Sequence, residues 1–207
     1  MASRANGSDG RELRARGQRT VRKLLDAGIE VFADKGYHAA RVDDIVQVAK
    51  TSHGTFYLYF SNKEDLFGAL CRGVSEEMQA LIESLDAITP DADGFQMLRG
   101  WVSDFTDIHR RYSPVIKAWT EAEIDSSELG RLGTGVLGEV TNTFARRIAA
   151  IKGTGLDAPV TAIAFVAMIE RFGYYAITGQ VRADDRTQID TLTEVMFAAL
   201  FGGAVAH

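Results

Sequence analysis

The 207-residue chain has one cysteine and three prolines. It has no uncharged apolar run near the ~18 residues that a membrane-crossing helix needs. A single thiol, Cys71, can neither close an internal disulfide nor complete a zinc site alone. With so few prolines, helices can run long and unbroken. The first twenty residues are polar and Arg-rich and lack the apolar stretch of a secretory leader. These absences point to a cytoplasmic protein with no membrane partner. Chemistry is also missing. No nucleophile–base pair and no cluster of metal-ligand types stands out, so neither an enzyme nor a metal or cofactor is expected. The Gly-Thr-Gly triplets at 133–135 and 153–155 follow no strand and precede no Gly-Lys-Ser/Thr, so they are not phosphate loops.

What is present is an ordinary globular composition, 46% hydrophobic and 25% charged. The net charge of −5 hides a segregation. Residues 1–60 carry ten Lys/Arg against seven Asp/Glu, and the remainder carries thirteen against twenty-one. A basic end on an acidic body suggests two separate tasks, or else a charged tail that is merely solvated.

Apolar residues recur at about 3.6-residue spacing almost throughout, and no period-2 strand is evident. The expected fold is therefore all-α, with about nine helices. After a non-periodic basic arm over residues 1–15, Val21, Leu24, Leu25, Ile29 and Phe32 share one helical face. Gly36 is placed to stop that helix. Two short helices follow, Val42–Ala49 and Ser52–Phe60. Ser61 with Glu64 reads as a capping box opening a long helix to about Ile88. Further helices are expected over Phe95–Tyr112, from Pro114 onward, to about Ile151, over Pro159–Thr178 and over Thr187–Phe201.

The two short helices have the dimensions of a helix-turn-helix, whose second helix enters the DNA major groove. The residue types suit that role. Ser52 can cap the helix and Thr51 can bond a phosphate, while His53 and Thr55 can offer hydrogen bonds to base edges. Gly54 lets the backbone approach closely. Phe56 and Phe60 anchor the opposite face. Tyr57 and Tyr59 can reach phosphates or serve as core aromatics. Lys63 opens the next helix and can meet a phosphate there. Arginines 11, 14, 16 and 19 either touch the duplex or are solvated.

Four stretches together resemble the DNA-binding domain of the TetR family of bacterial transcriptional regulators. They are Gly36-Tyr37, Val42-Asp-Asp-Ile45, Gly54-Thr-Phe-Tyr-Leu-Tyr-Phe60 and Asn62-Lys-Glu-Asp-Leu66. The resemblance implies a three-helix DNA-binding domain over 16–62 and a helical ligand-binding and dimerisation domain over 63–207. Two positions depart from the family pattern. Ala40-Arg41 stands where Ser or Thr usually caps, and Arg41 can reach a phosphate instead. Lys50 replaces the usual turn glycine. It adds a positive charge near DNA, at a cost on the order of 1 kcal/mol if its backbone is left-handed.

In the body, the helix from Pro159 is apolar nearly all round and must bury two sides. Its Phe165 and Ile169, with Ile189, Leu192, Val195, Met196 and Leu200 of the last helix, are expected to form a homodimer interface. Such a dimer would present two recognition helices ~34–36 Å apart to a near-palindromic operator. Met97, Trp101, Phe105, Trp119, Phe144 and Phe172 could line an apolar cavity, or could simply be core. Asp104 and Glu121 are candidate polar groups within it. The expected function is a ligand-responsive regulator, most naturally a repressor released by a small lipophilic or aromatic effector. The alternative is a DNA-binding regulator, activator or architectural, with no effector.

Overall fold

The computed structural model describes residues 6–121 and 128–202, with side chains over 15–117, 135–136, 138–176 and 178–202. All regular structure among these residues is helical: α1 (Asn6–Ala39), α2 (Val42–Val48), α3 (His53–Tyr57), α4 (Lys63–Ser84), α5 (Ala92–Glu121), α6 (Glu128–Ala149), α7 (Ala158–Ile177) and α8 (Asp185–Phe201). Eight helices replace the expected nine because Pro114 lies inside α5 instead of starting a new helix. Its ring removes one backbone donor, but the helix continues through it.

The chain divides into two compact units. The first holds residues 1–71 and 114–124, and the second holds 72–113 and 125–207. The first unit thus takes in the opening turns of α4 beyond the Asn62–Lys63 boundary.

In the first unit, Leu24, Ile45, Phe56, Leu66 and Phe67 have no solvent exposure and form the core. Phe32, Tyr37 and Phe67 pack edge-on or tilted, with ring centroids 4.7–5.7 Å apart. Gly36 takes φ 73° and breaks α1 where the sequence placed a stop. The cap of α4 lies one residue later than Ser61: Asn62 Oδ1 accepts from the Asp65 N–H at 2.7 Å, and Asp65 in turn accepts from the Ser61 N–H at 2.9 Å. The expected partner, Glu64, points to solvent.

In the second unit an aromatic column climbs α5 at four-residue steps. Trp101 stacks on Phe105 at 5.6 Å, and Phe105 on His109 at 6.1 Å. Phe144 of α6 meets Trp101 edge-on at 4.8 Å, and the indole N–H donates to Leu81 O at 2.9 Å. Glu77 of α4 accepts from the Tyr112 hydroxyl at 2.6 Å and from Arg111 at 2.9 Å. Burial, reinforced by the Glu77 carboxylate, pushes the Tyr112 phenol up to about 12.

This packing bears on the seam assigned to a dimer. Phe165, Ile169, Ile189, Leu192, Met196 and Leu200 are all buried within the single chain. Only Val195, at 50% exposure, faces out. The outward face of α7 is a different stripe: Val160, Ile163, Ala164, Ala167, Tyr174 and Tyr175 are exposed at three- and four-residue spacing. Periodicity finds both apolar faces of such a helix without saying which one its own domain takes.

Candidate nucleic-acid interface

The turn between α2 and α3 is set by hydrogen bonds that terminate α2. Lys50 N–H donates to Gln47 O at 3.1 Å and Thr51 N–H to Val46 O at 3.0 Å. This pairing is the Schellman arrangement, which demands a left-handed residue at its corner. Lys50 fills that corner with φ 48°, the one non-glycine positive φ among the described residues. At the start of α2, Arg41 supplies no side-chain acceptor. Asp44 offsets this by accepting from the Arg41 N–H at 3.0 Å, and it pairs with Lys35 at 2.6 Å. The Lys35 hydrogen bond, then that of the Arg41 N–H, hold the Asp44 carboxyl below the usual carboxylate range.

The short α3 is held from one side only. Ser52 caps it, accepting from the Thr55 N–H at 3.1 Å. Phe56 and Phe60 bury its inner face and pack with centroids 5.8 Å apart. The outer face is open. Ser52, His53 and Gly54 are exposed, and so are Tyr57 at 57% and Tyr59 at 38%. Thr51 and Thr55 are half-buried, while Arg41 and Lys50 are exposed. A Cβ built on Gly54 would meet only Ser52 Oγ, at 3.8 Å. Nothing inside the protein therefore requires glycine at this position. His53 does not stand free, because its Nε2 lies 2.5 Å from Asp43 Oδ1 on α2.

Lys63 is the exception among the predicted contacts. Its ammonium donates to the carbonyls of Tyr37, His38 and Ala40 at 2.9, 3.3 and 3.1 Å, and it sits 4.8 Å from the Tyr37 ring centroid. All three of its donors are taken by the end of α1. Within the chain it acts as a cap on the end of α1.

Two contributors, Thr20 and Lys23, were absent from the predicted contacts, and a third, Arg16, was expected only as one of four arginines that touch the duplex or are solvated. A cleft of about 480 Å³ runs between α1 and the helix-turn-helix. Arg16, Thr20 and Lys23 of α1 line it opposite Thr51, Thr55 and Tyr59. Cations and hydroxyls facing one cleft suit a phosphodiester backbone. The signal was available: positions 16, 20 and 23 share a helical face once α1 is known to extend there. The side chains of Arg11 and Arg14 lie outside the described residues, and Arg19 donates to Ala15 O at 3.3 Å.

Of the predicted cavity residues, Trp101, Phe105 and Phe144 are packed against one another in the core, and Met97 and Phe172 are half-buried. Asp104 lies on the exposed side of α5 and so does not face that cluster. The side chains of Trp119 and Glu121 lie outside the described residues. His109 is 7% exposed, and its Nδ1 is the one buried side-chain nitrogen or oxygen without a partner among the described residues. Burial pushes its imidazole below the ordinary value, against a smaller upward pull from Glu170. Among the described residues no group of His, Cys, Asp and Glu could hold a metal ion, and no helix is long and apolar enough to cross a membrane.

An all-helical chain with a capped, outward-facing second helix of this kind belongs to the class of helix-turn-helix proteins. Comparison with known proteins narrows the class. Residues 24–70 match the family of bacterial regulatory proteins, tetR family. The fatty acid metabolism regulator protein of Bacillus subtilis is 41% identical over 64 residues, which is 31% of this chain and 31% of that one. A transcriptional regulator from Rhodococcus sp. RHA1 superposes with a TM-score of 0.70 at 17% identity, covering 90% of this chain and 98% of the other. The FadR regulator of Bacillus subtilis, crystallised in complex with stearoyl-CoA, gives 0.60 at 22% identity, covering 89% and 98%. The matched segment spans about a third of the length of the first curated relatives. Residues 24–70 thus carry the amino-terminal domain of the TetR family, and nine-tenths of the chain shares the fold of the Rhodococcus regulator.

Proposed function

We propose that this protein is a transcriptional regulator, not an enzyme, that binds a near-palindromic DNA operator as a homodimer. A small lipophilic or aromatic effector then releases it from DNA, as a repressor. The observation that carries the DNA-binding reading is the bare outer face of α3. Gly54 is open to solvent with no internal reason to be glycine, and it is flanked by exposed His53 and Tyr57. The cleft lined by Arg16, Thr20 and Lys23 supports a backbone track beside it.

The homodimer reading rests on the exposed stripe of α7 with Val195 of α8. A second copy of the same stripe is the partner that a twofold operator calls for. The buried His109 Nδ1, which has no partner among the described residues, is a polar group that an effector in the body could engage. The names of the relatives suggest long-chain acyl thioesters as the first compounds to try.

Selection from a random duplex library, followed by binding at rising salt, tests the core of the proposal. A regulator enriches a palindromic site and loses affinity steeply with salt. No enrichment and no salt dependence would overturn it. Titration of stearoyl-CoA and a panel of aromatic compounds against the operator complex tests the effector. Reciprocal coupling of ~1–3 kcal/mol is the expected size.

A further inference from the structure

Asp43 is an acid placed where a DNA-binding surface gains nothing from one. It lies in the first turn of α2 and is exposed. The cap of that helix is supplied by Asp44 instead. What Asp43 holds is His53, across the turn, with Oδ1 2.5 Å from Nε2. Both side chains are more than half exposed, so the pair contributes little to folding. Its consequence falls on the geometry of α3.

The two ring nitrogens of histidine are chemically distinct, and the partner of one fixes the behaviour of the other. A carboxylate only accepts, so Nε2 must carry the hydrogen in this pair. Nδ1 is then the ring nitrogen left for an outside partner. An unrestrained ring in this position could turn either nitrogen outward, as donor or as acceptor, and would accept several base edges.

We propose that Asp43 is a positioning residue for base recognition: it holds the His53 ring so that Nδ1 alone meets one base edge in the major groove, and so narrows the sequence accepted there. This rests on the DNA-binding reading above and adds a source of specificity which that reading does not require. A neutral ring held in this way accepts from the amino group of cytosine or adenine, and a doubly protonated one donates to guanine N7 or O6. In both forms the base is read through one nitrogen.

Simple electrostatics predicts something else. Deleting a negative charge beside DNA should strengthen binding to every sequence alike. The test is selection and competition binding by the full-length protein, comparing wild type with Asp43→Asn, Asp43→Ala, His53→Ala and the double alanine variant. Asp43→Ala is expected to cut discrimination at one base pair per half-site by at least about fivefold. Its affinity for non-specific DNA should hold or rise. Asp43→Asn retains an acceptor for Nε2–H and should keep most of the preference. His53→Ala should flatten the same base pair, and adding Asp43→Ala to it should change nothing further there. Retained preference at the other positions of the half-site, with unchanged circular dichroism, shows that α3 is still folded. If Asp43→Ala raises affinity uniformly and leaves the preference intact, the positioning role is overturned while the DNA-binding reading stands. A wild-type protein that selects no sequence removes both.

Discussion

Lys63 offers the sharpest separation between a structural role and a DNA-contact role, because both predict a loss on substitution but in different quantities. Lys63→Met keeps the aliphatic stem and removes the ammonium. Three carbonyls at the end of α1, those of Tyr37, His38 and Ala40, lose their donor, and the Tyr37 ring loses its cation. A hydrogen bond to a charged group nets roughly 1.5–3 kcal/mol. Lys63 is only half-buried, so water can replace part of what is lost. A destabilisation of about 2 kcal/mol for the whole set is expected. For a chain of this size that lowers Tm by roughly 4–8 °C. Thermal melts by circular dichroism or calorimetry measure it. Salt dependence of DNA binding gives the second reading. A phosphate contact contributes ~0.9 to the slope of log K against log salt, so one in each protomer would contribute about 1.8. The structure predicts a lower Tm with an unchanged slope. An unchanged Tm with the slope reduced by about 1.8 would refute the capping role.

The two faces of the last helices can be told apart by charge. Ile163→Glu should yield a folded monomer in sedimentation or light scattering, whereas Leu192→Glu, at a site 4% exposed, should prevent folding. His109 makes stability depend on pH in one direction. Below its ordinary value of 6.5 the unfolded chain takes up a proton that the buried ring resists, so stability present above that pH is lost as pH falls. His109→Gln should flatten this component of a Tm-against-pH series, and a wild-type series no steeper than the variant's would contradict it. Gly54→Ala should leave Tm unchanged or raise it, since alanine favours a helix by up to ~1 kcal/mol and no neighbour is crowded. The same substitution should weaken operator binding by tenfold or more in a direct titration.

The all-helical class was legible from the 3.6-residue period, and the break at Gly36 from its placement after the last apolar residue of α1. The helix-turn-helix was legible because its local chemistry is dense: Ser52 caps, Phe56 and Phe60 point one way, and Tyr57 points the other. The left-handed corner at Lys50 was signalled only by the glycine that the resembled family usually carries there. What sequence spacing could not supply was competition between partners. A lysine at a helix start suits a phosphate, but within the chain Lys63 meets three backbone carbonyls. An apolar seam at 189, 192, 196 and 200 suits a second subunit, but the chain's own α-helical core takes it. Pro114 reads as a helix start because a proline costs nothing there, yet α5 runs through it. Each of these turns on which chemically suitable partner a residue meets inside its own chain, and tertiary packing decides that.

Two glycines on short-range helical surfaces show how that distinction carries function. At Gly173 a Cβ would come within 3.1 Å of His109 Nδ1 and 3.4 Å of Cε1. Glycine there is accounted for by the ring of α5 packed against α7. At Gly54 a Cβ would meet nothing nearer than 3.8 Å. Glycine in a helix interior is the less stable choice by roughly 0.5–1 kcal/mol, and at Gly54, in the first turn of α3, a smaller cost has no internal neighbour to explain it. The neighbouring side chains at that spot, an exposed tyrosine and a histidine held by an acid, are polar and directed outward. Gly73, Gly100, Gly135 and Gly138 have open space as well, so what sets Gly54 apart is its place on the exposed face of α3, and under the proposed function that space is taken by a surface from outside the chain. The floor of a DNA major groove is the surface that the proposed function brings there, and the operator-binding loss expected for Gly54→Ala measures whether it approaches closely enough for one methyl group to matter.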